Sequence, residues 1–394
     1  MKKIVTWLLT ASIVLGCSKL EIVRVDASIA SVSPDAAVPG STIVISGSNF
    51  TENTVVTFGT QKAEIVGVTG DRLEVLAPNP LEEGDLELNV SSRGVPAITN
   101  FEVLPFFVEK TPHPDGAING TGFVLNGEIY FGTGRIGNGN ITSTFYKYSA
   151  GSDTWTELVS NNTIPARAGA FGFEAGGKGY VLGGSSGTDF WEYDPVTNNW
   201  TQKKDYPNSS LLFPVILTLG SDVYLCTGFQ NFISREVWRY SITNDDWMQM
   251  NDFGGVKRGA AVGFVIDDVG YAGQGYDFDT NTRLNDFWSY NQSSDSWDQV
   301  GAPVPSANME GGIGFSLNGN GYIGLGRNGN TGIKDFWKYN PSQDNWDLLT
   351  EFVGSATLAA QVFVVGKRAY IINGSSFNNS EDFVELWEFT PETF

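Results

Sequence analysis

Alternating apolar and polar residues, rather than the three-to-four-residue spacing of helices, dominate this chain. Between residues 167 and 200, four short apolar runs are separated by turn residues such as Gly176-Gly177 and Asp194-Pro195. Runs of this length, rich in Tyr, Phe, Trp and Val, are typical of a four-stranded antiparallel meander. A single meander cannot bury its own faces, so the pattern predicts that several copies stack against one another.

Six copies of this pattern follow one another about every 45–50 residues. Each copy contains a tyrosine, an apolar residue seven positions before it and a glycine four positions after it. An aromatic-x-aromatic pair comes next, and in five copies a tryptophan follows seven residues after that pair. The tyrosines are Tyr130, Tyr180, Tyr224, Tyr271, Tyr322 and Tyr370, and the tryptophans are Trp155, Trp200, Trp247, Trp297 and Trp346. Such repetition predicts a propeller of four-stranded blades.

At these residues the chain resembles the kelch-repeat family of β-propellers, over roughly residues 105–394. The family's glycine doublet is complete only as Gly183-Gly184. In the other copies the first position of the doublet holds Thr133, Thr227, Gln274, Leu325 or Asn373. The second glycine is kept throughout, and it supplies the permissive backbone expected at the strand end.

The sixth copy ends without the last tryptophan, which would leave the edge of its sheet unpaired. Upstream, Phe107-Val-Glu-Lys110 is similar to the outermost strands of the other copies, with Phe107 in the tryptophan position. We therefore predict that residues 105–111 pair with residues 384–389. This pairing would close a six-bladed propeller with an N-terminal strand.

Residues 29–104 have a different pattern, with short alternating strands spaced by 8–12 residues, as in a small β-sandwich. The positions Pro34, Gly40, Gly47-x-Asn49-Phe50, Phe58-Gly59 and Pro78 resemble the IPT/TIG immunoglobulin-like family. The resemblance implies a spacer or a protein-contact module. The predicted fold class is therefore all-β, with an immunoglobulin-like sandwich followed by a kelch-type propeller over residues 105–394.

The first residues have the order of a bacterial lipoprotein signal peptide, with Lys2 and Lys3, an apolar run, and Val14-Leu-Gly-Cys17. The apolar run is too short to span a bilayer as a stable helix. The resemblance implies removal of residues 1–16, lipidation of Cys17 and a tether over residues 17–28. Ser18 after the cysteine favours the outer membrane or cell surface of a Gram-negative bacterium, with the lipid anchor as the contact to the membrane.

Composition excludes several classes of function. The net charge of −20 argues against nucleic acid as a partner, because phosphate binding requires clustered Lys and Arg. His113 is the single histidine, which argues against a histidine metal site or a Ser-His-Asp triad. Asp277-Phe-Asp279-Thr-Asn281 has oxygen ligands at alternate positions but lacks the rest of a calcium loop. A solvated polar loop is the alternative interpretation, and no cofactor is expected.

Function is expected on the connections between the second and third strands, because these vary in length on an otherwise regular scaffold. From Gly184 to Trp191 the distance is 7 residues, whereas from Gly275 to Trp288 it is 13. The short second-blade connection predicts a notch between taller neighbours. The expected ligand-binding residues are Arg135, Asn138, Arg167, Phe229, Asn231, Arg235, Arg258, Tyr276, Asp277 and Arg283, with Arg167 and Arg258 nearest the axis.

Two functions are compatible with these residues. The first is a non-catalytic, envelope-anchored binding protein that recognises a glycan or an envelope protein through aromatic and polar loops. The second is a sugar-modifying enzyme, because some six-bladed kelch propellers are sialic-acid mutarotases. Such chemistry needs a carboxylate paired with a base or an arginine. Glu310 with Arg258 or Arg167 is the arrangement that the sequence can nominate.

Overall fold

The computed structural model describes residues 26–92, 94–137, 139–209, 211–229, 233–301, 303–305, 308–375 and 382–392. Contacts between residues divide the chain into two compact units, with the boundary between Val103 and Leu104. Both units are built from β-strands. Within the described ranges, no helix is long and apolar enough to cross a membrane.

The first unit consists of two packed sheets, one with strand order β1-β3-β7-β6 and one with order β2-β9-β8-β4-β5. Its strands are β1 (Ser28–Ser33), β2 (Ala36–Ala37), β3 (Thr42–Ser48), β4 (Val55–Phe58), β5 (Gln61–Lys62), β6 (Glu64–Val68), β7 (Arg72–Leu76), β8 (Gly84–Ser91) and β9 (Ala97–Val103). All pairs are antiparallel except β2 with β9. Alternate residues such as Ile43, Ile45 and Val75 point into one shared core, as strand geometry requires.

The second unit contains, in the described part of the chain, six four-stranded antiparallel sheets, consistent with propeller blades. In chain order, the first sheet contains β11 (Thr121–Leu125), β12 (Glu128–Gly132), β15 (Phe145–Ser149) and β16 (Thr154–Glu157), and the second contains β17 (Phe171–Ala175), β18 (Lys178–Leu182), β19 (Phe190–Asp194) and β20 (Asn199–Lys203). The third contains β21 (Val215–Leu219), β22 (Asp222–Cys226), β23 (Val237–Ser241) and β24 (Asp246–Gln249), and the fourth contains β25 (Val262–Ile266), β26 (Val269–Gly273), β29 (Phe287–Asn291) and β30 (Ser296–Gln299). The fifth contains β31 (Ile313–Leu317), β32 (Asn320–Gly324), β35 (Asp335–Asn340) and β36 (Asn345–Glu351).

The sixth sheet contains strands from both ends of the unit. It consists of β10 (Phe107–Lys110), β39 (Asp382–Phe389), β38 (Arg368–Ser375) and β37 (Gln361–Val365), paired in that order. Phe107 lies opposite Phe389 and Lys110 lies opposite Leu386 in an antiparallel register. The predicted pairing of residues 105–111 with residues 384–389 is confirmed for residues 107–110 and 386–389.

The first strands of the six sheets contact one another in the cyclic order β11, β17, β21, β25, β31, β37 and back to β11. Glycines permit the closest approaches between the backbones of neighbouring first strands. A Cβ atom on Gly172 would lie 2.2 Å from the carbonyl oxygen of Gly122, and one on Gly314 would lie 2.7 Å from that of Gly263. The inner strands therefore pack with backbone against backbone at these two junctions.

The repeated aromatic residues hold the outer strands in place. In five sheets the second residue of the aromatic pair donates its hydroxyl to an Asp or Asn five residues later, for example Tyr240 to Asp245 at 2.7 Å. The same ring packs on the outer tryptophan, with 4.9 Å between the centroids of Tyr240 and Trp247. Asp245 also accepts the backbone N–H of Lys204 from the preceding sheet at 3.0 Å. The turn residues thus connect neighbouring sheets and are structural.

Candidate functional site

Two-stranded ribbons occupy three of the connections between second and third strands, in the first, fourth and fifth sheets. They are β13 (Arg135–Ile136) with β14 (Asn140–Ile141), β27 (Tyr276–Asp277) with β28 (Thr282–Arg283), and β33 (Arg327–Asn328) with β34 (Thr331–Gly332). The corresponding connection in the second sheet is a short 3₁₀ turn, Gly184–Ser186. We call the end of the unit that carries these connections the loop face.

A cavity of about 170 Å³ lies between the inner strands of all six sheets. Its lining includes one residue with positive φ from each sheet: Asn119, Gly169, Phe213, Ala260, Gly311 and Ala359. Backbone hydrogen bonds connect several of these neighbours, for instance from Gly169 N–H to Asn119 O at 2.8 Å and from Gly311 N–H to Ala260 O at 2.9 Å. These residues form a ring around the axis of the unit.

A larger cavity of about 320 Å³ continues from this ring toward the loop face, lined mainly by residues of the third to sixth sheets together with Asn119 of the first. The two cavities share Asn119, Phe213, Ala260, Gly311 and Ala359. We call the larger one the mouth cavity. Its other lining residues are Phe229, Phe278, Glu310, Arg327, Leu358 and Ser375. A concave space beside variable loops is the candidate functional site of this chain.

One wall of the mouth cavity is aromatic. Phe229 packs edge-on against Phe278 and Phe213, with centroid distances of 4.8 Å and 6.4 Å. Phe278 also packs edge-on against Tyr276 at 4.3 Å. Phe213 and Phe278 remain 42% and 48% exposed. This wall therefore presents apolar surface that a ligand can remove from water.

Another part of the lining is charged. The Oε1 atom of Glu310 accepts hydrogen bonds from Arg327 Nε at 2.9 Å and from Arg283 Nη2 at 2.8 Å. Backbone bridges between Glu310 and Arg327 hold the two residues side by side. The guanidinium of Arg283 also lies over the ring of Tyr276, 5.0 Å from its centroid. Arg283 thus connects the fourth-sheet ribbon to the fifth sheet.

Arg167 and Arg258, expected to contact a ligand near the axis, are fully buried instead. Arg167 forms a two-pronged ion pair with Asp189 at 3.0 Å and 2.7 Å, and Arg258 forms the same pair with Asp286 at 2.7 Å and 2.8 Å. Their guanidinium groups also donate to backbone carbonyls. The expectation is corrected, because these side chains have no exposed surface to offer a ligand.

Each of the two partner carboxylates, Asp189 and Asp286, is partly buried and also receives the indole N–H of the tryptophan two residues later, as Asp286 does from Trp288 at 2.7 Å. Burial raises the pKa of the Asp286 carboxyl, but the hydrogen bonds and charge of Arg258 outweigh burial and hold that pKa below its usual range. The enzyme arrangement nominated from the sequence, Glu310 with Arg258 or Arg167, is not formed. Glu310 contacts Arg283 and Arg327 instead.

The loop around Asp277 supplies hydrogen-bond donors to its own carboxylate oxygens. The carboxylate of Asp277 accepts the backbone N–H of Asp279 at 3.0 Å and the hydroxyl of Thr280 at 2.7 Å. Asp279 pairs with Lys257, and Asn281 accepts the hydroxyl of Tyr276. Among the described residues, no group of three or more His, Cys, Asp or Glu side chains could hold a metal ion. The polar-loop interpretation fits these contacts better than a calcium loop does.

The other expected residues are spread over the loop face. Arg135 is exposed on the first-sheet ribbon, and Arg235 is half exposed and pairs with Asp252 at 3.0 Å. Of the binding residues expected from the sequence, Phe229 lines the mouth cavity as described. Asn138, Asn231 and Cys17 lie outside the described residues. The cavity is lined mainly by residues of the third to sixth sheets, whereas the sequence placed the notch over the second.

Sequence reasoning did not select Phe213, Arg327, Leu358 or Ser375 for binding. One available signal was the position directly after each repeat glycine, which holds Arg135, Ser185, Phe229, Tyr276, Arg327 and Ser375. Because the repeat places this position at the same end of every sheet, Arg327 and Ser375 could have been selected together with the others. Phe213 and Leu358 stand at or beside the ring position, which is not one of the positions of the repeat pattern.

Comparison with known proteins identifies the classes of both units. Residues 27–103 match the family model of the IPT/TIG domain, so the first unit is an IPT/TIG domain. The second unit has the fold of a kelch-propeller protein, YjhT, whose solved structure covers 70% of this chain and 95% of its own at a TM-score of 0.59. The identity is 17%, and 562 solved chains are similar, so the likeness identifies a fold and no activity. No curated protein sequence matches the chain.

Proposed function

We propose that this chain is an envelope-anchored, non-catalytic lipoprotein that recognises a glycan or a protein partner through its loop face. In this proposal the six sheets are the blades of a kelch-type propeller that β10 closes. The cyclic contacts of the inner strands and the likeness to YjhT support that architecture. Cys17 carries the lipid anchor, and the outer membrane or cell surface is the site of action.

The mouth cavity is the observation that carries the binding proposal. Its volume of about 320 Å³ lies at the lower end of the range of ligand pockets. Its aromatic rim lies on the face where connections vary in length, whereas the turns of the opposite face carry the repeated Tyr–Asp contacts. Ligand recognition is therefore assigned to the loop face.

Binding is preferred over sugar modification because of the partners of Glu310. A general acid or base needs an exposed oxygen that can reach the reacting proton. Glu310 holds two guanidinium groups on one oxygen, and its side chain is 7% exposed. His113 is buried among Phe131, Tyr146 and Trp155, away from the residues that line the cavity.

The experiment compares matched exposed apolar residues on the two faces. Phe278→Ala alters the loop face, and Val196→Ala alters the opposite face, where Val196 is 92% exposed in the Asp194–Asn198 turn. Both variants and the wild-type chain are tested on a glycan array and by cross-linking in isolated outer membranes. We expect Phe278→Ala to lose the signal and Val196→Ala to keep it. The reverse result would place recognition on the other face.

A further inference from the structure

In four of the six sheets of the second unit, the same two positions carry an ion pair. One position is the first residue of the second strand, and the other is the third-strand residue that lies opposite the repeat tyrosine. The pair joins these strands beside the turns at the end opposite the loop face. The four pairs are Glu128 with Lys147 at 3.1 Å, Lys178 with Glu192 at 2.6 Å, Asp222 with Arg239 at 3.7 Å and Arg368 with Glu388 at 3.1 Å.

The fourth sheet has neither member of this pair. The equivalent residues are Val269 and Ser289, and the Ser289 hydroxyl donates to the backbone carbonyl of Asp298 at 3.3 Å. A cavity of about 360 Å³ lies at this place, compared with about 320 Å³ for the mouth cavity. We call it the fourth-sheet cavity. Its other lining residues are Asp268, Tyr290, Asn291, Gln292, Ser293 and Asp298.

The lining of the fourth-sheet cavity is acidic. Asp268 and Asp298 contribute two carboxylates, and no lysine or arginine is among the described lining residues. Neither carboxylate has a hydrogen-bond or ion-pair partner in the described part of the chain. Every lysine and arginine after residue 104 belongs to the described ranges, so this holds for all basic side chains of the second unit. Two carboxylates beside one cavity favour a cation there.

We propose that the fourth-sheet cavity binds the guanidinium or ammonium group of an arginine or lysine side chain from a protein partner. The first sheet shows how such a group fits beside the repeat tyrosine. Lys147 stands at the position equivalent to Ser289 and pairs with Glu128, while its Nζ lies 5.9 Å from the ring centroid of Tyr130. In the fourth sheet, the partner supplies the base that the chain itself supplies in the first.

The charge of the whole chain favours the same class of partner. The net charge of −20 attracts basic surfaces and repels acidic ones during association. Asp268 and Ser293 belong to turns at the end opposite the loop face. The inference therefore goes beyond the proposed function and does not depend on the mouth cavity.

The test uses saturation-transfer NMR on the purified full chain at low salt. The probes are three acetylated tripeptide amides, in which glycine flanks arginine, lysine or citrulline. Citrulline has nearly the shape of arginine without its charge. Spermidine is the fourth probe and represents a free polyamine. We expect the arginine and lysine peptides to receive saturation at millimolar concentration, the citrulline peptide to receive none, and spermidine to bind no more tightly than the arginine peptide.

Ser289→Lys places an internal base at the position that Lys147 holds in the first sheet. It should abolish peptide binding, and the temperature of thermal unfolding should not fall, because the new ammonium group has carboxylates beside it. Ser152→Lys is the matched control. Ser152 is exposed in the equivalent turn of the first sheet, so this variant adds the same charge away from the cavity. It should leave peptide binding unchanged.

Asp298→Asn keeps the test informative if the lysine variant does not fold. It should weaken binding of the arginine peptide by about two- to fivefold, the range expected for an ion pair accessible to solvent. Asp347→Asn is its control, because Asp347 holds the equivalent position in the fifth sheet, opposite Lys338, and does not line the cavity. Binding should stay at the wild-type value in this control.

Four results would overturn the inference. They are equal binding of the citrulline and arginine peptides, equal losses in a variant and its control, tighter binding of spermidine than of the arginine peptide, and absence of saturation with every probe. Equal losses would mean that the probes respond to net charge alone. The comparison of Phe278→Ala with Val196→Ala tests the proposed function separately, since neither residue lines the fourth-sheet cavity.

Discussion

Two adjacent residues at the end of each second strand follow different steric rules. The first position holds Thr133, Thr227, Gln274 or Leu325 with φ between 57° and 61°, values that side chains adopt rarely but at limited cost. The second position is glycine with φ between 81° and 93° in five sheets. A Cβ atom there would meet backbone, for example at 2.6 Å from Glu310 O for Gly326. This contrast explains why the second glycine of the doublet is retained.

Gly326→Ala should therefore destabilise the second unit by about 3 kcal/mol or more, since backbone strain and a backbone clash add together. Gly319→Ala is the matched control in the same sheet. Gly319 has φ of 72° and open space where a Cβ atom would lie, so its substitution introduces the strain alone, about 1 kcal/mol. Urea unfolding of the two variants measures the difference. Equal losses would contradict the steric explanation.

His113 is a second residue whose burial has a measurable consequence. It is 3% exposed and lies edge-on against Phe131, Tyr146 and Trp155. Desolvation lowers its pKa from 6.5 to about 4, although the nearby Asp115 carboxylate acts in the opposite direction. The folded chain therefore keeps this imidazole neutral, whereas the unfolded chain protonates it near pH 6.5.

The stability that His113 contributes should be complete above pH 6.5 and should be lost as the pH falls from 6.5 toward 4. The loss corresponds to about 3 kcal/mol, from about 1.4 kcal/mol for each pKa unit. The measurement is the free energy of unfolding at several pH values for the wild type and for His113→Phe. The variant lacks the imidazole but retains the other titrating groups, so it should lose less stability between pH 6.5 and pH 4. Parallel curves of the free energy of unfolding against pH would contradict the assignment of this pH dependence to His113.

At the scale of the element, β10 completes the sixth sheet and reproduces the contacts of the other outer strands. Phe107 takes the tryptophan position and packs on Phe336, Phe352 and Phe389 at centroid distances of 5.0, 5.0 and 4.9 Å. Lys110 lies 3.3 Å from Glu388. In the second sheet, Lys203 lies 3.7 Å from Glu192, which stands at the position equivalent to Glu388. The closing strand therefore repeats the ion pair as well as the aromatic contact.

Phe107→Ala should cost about 3–5 kcal/mol, because it removes a buried aromatic side chain from the strand that closes the sheet. Val108→Ala on the same strand is the control. Val108 is 40% exposed, so its truncation should cost less than about 1 kcal/mol. Denaturant unfolding of both variants provides the comparison. A small loss for Phe107→Ala would mean that β10 contributes little to the stability of the second unit.

At the scale of the whole molecule, the anchor remains a prediction from residues 1–17, which lie outside the described residues. Cys17→Ala should leave the protein unprocessed or mislocalised, because lipidation requires the thiol of this cysteine. Mass spectrometry of the mature chain and fractionation of the envelope measure the outcome. An unmodified Cys17 in the mature wild-type protein would remove the anchoring proposal.

The sequence by itself determined the all-β class, the first domain and the strand that completes the sixth sheet. Strand alternation and repeat spacing are local properties, so they can be identified along the chain without knowledge of distant contacts. The IPT/TIG match over residues 27–103 and the pairing of Phe107 with Phe389 confirm these predictions.

Only the tertiary structure decided the candidate site. The partner of Arg258 is Asp286, 28 residues away, and the partners of Glu310 are Arg283 and Arg327. Several acids and bases could have made these pairs, and the choice depends on which loops the packed sheets bring together. The position of the mouth cavity depends in the same way on residues from five sheets. The physical reason is that ion pairs and cavities form between distant segments, whereas alternation and spacing belong to each segment alone.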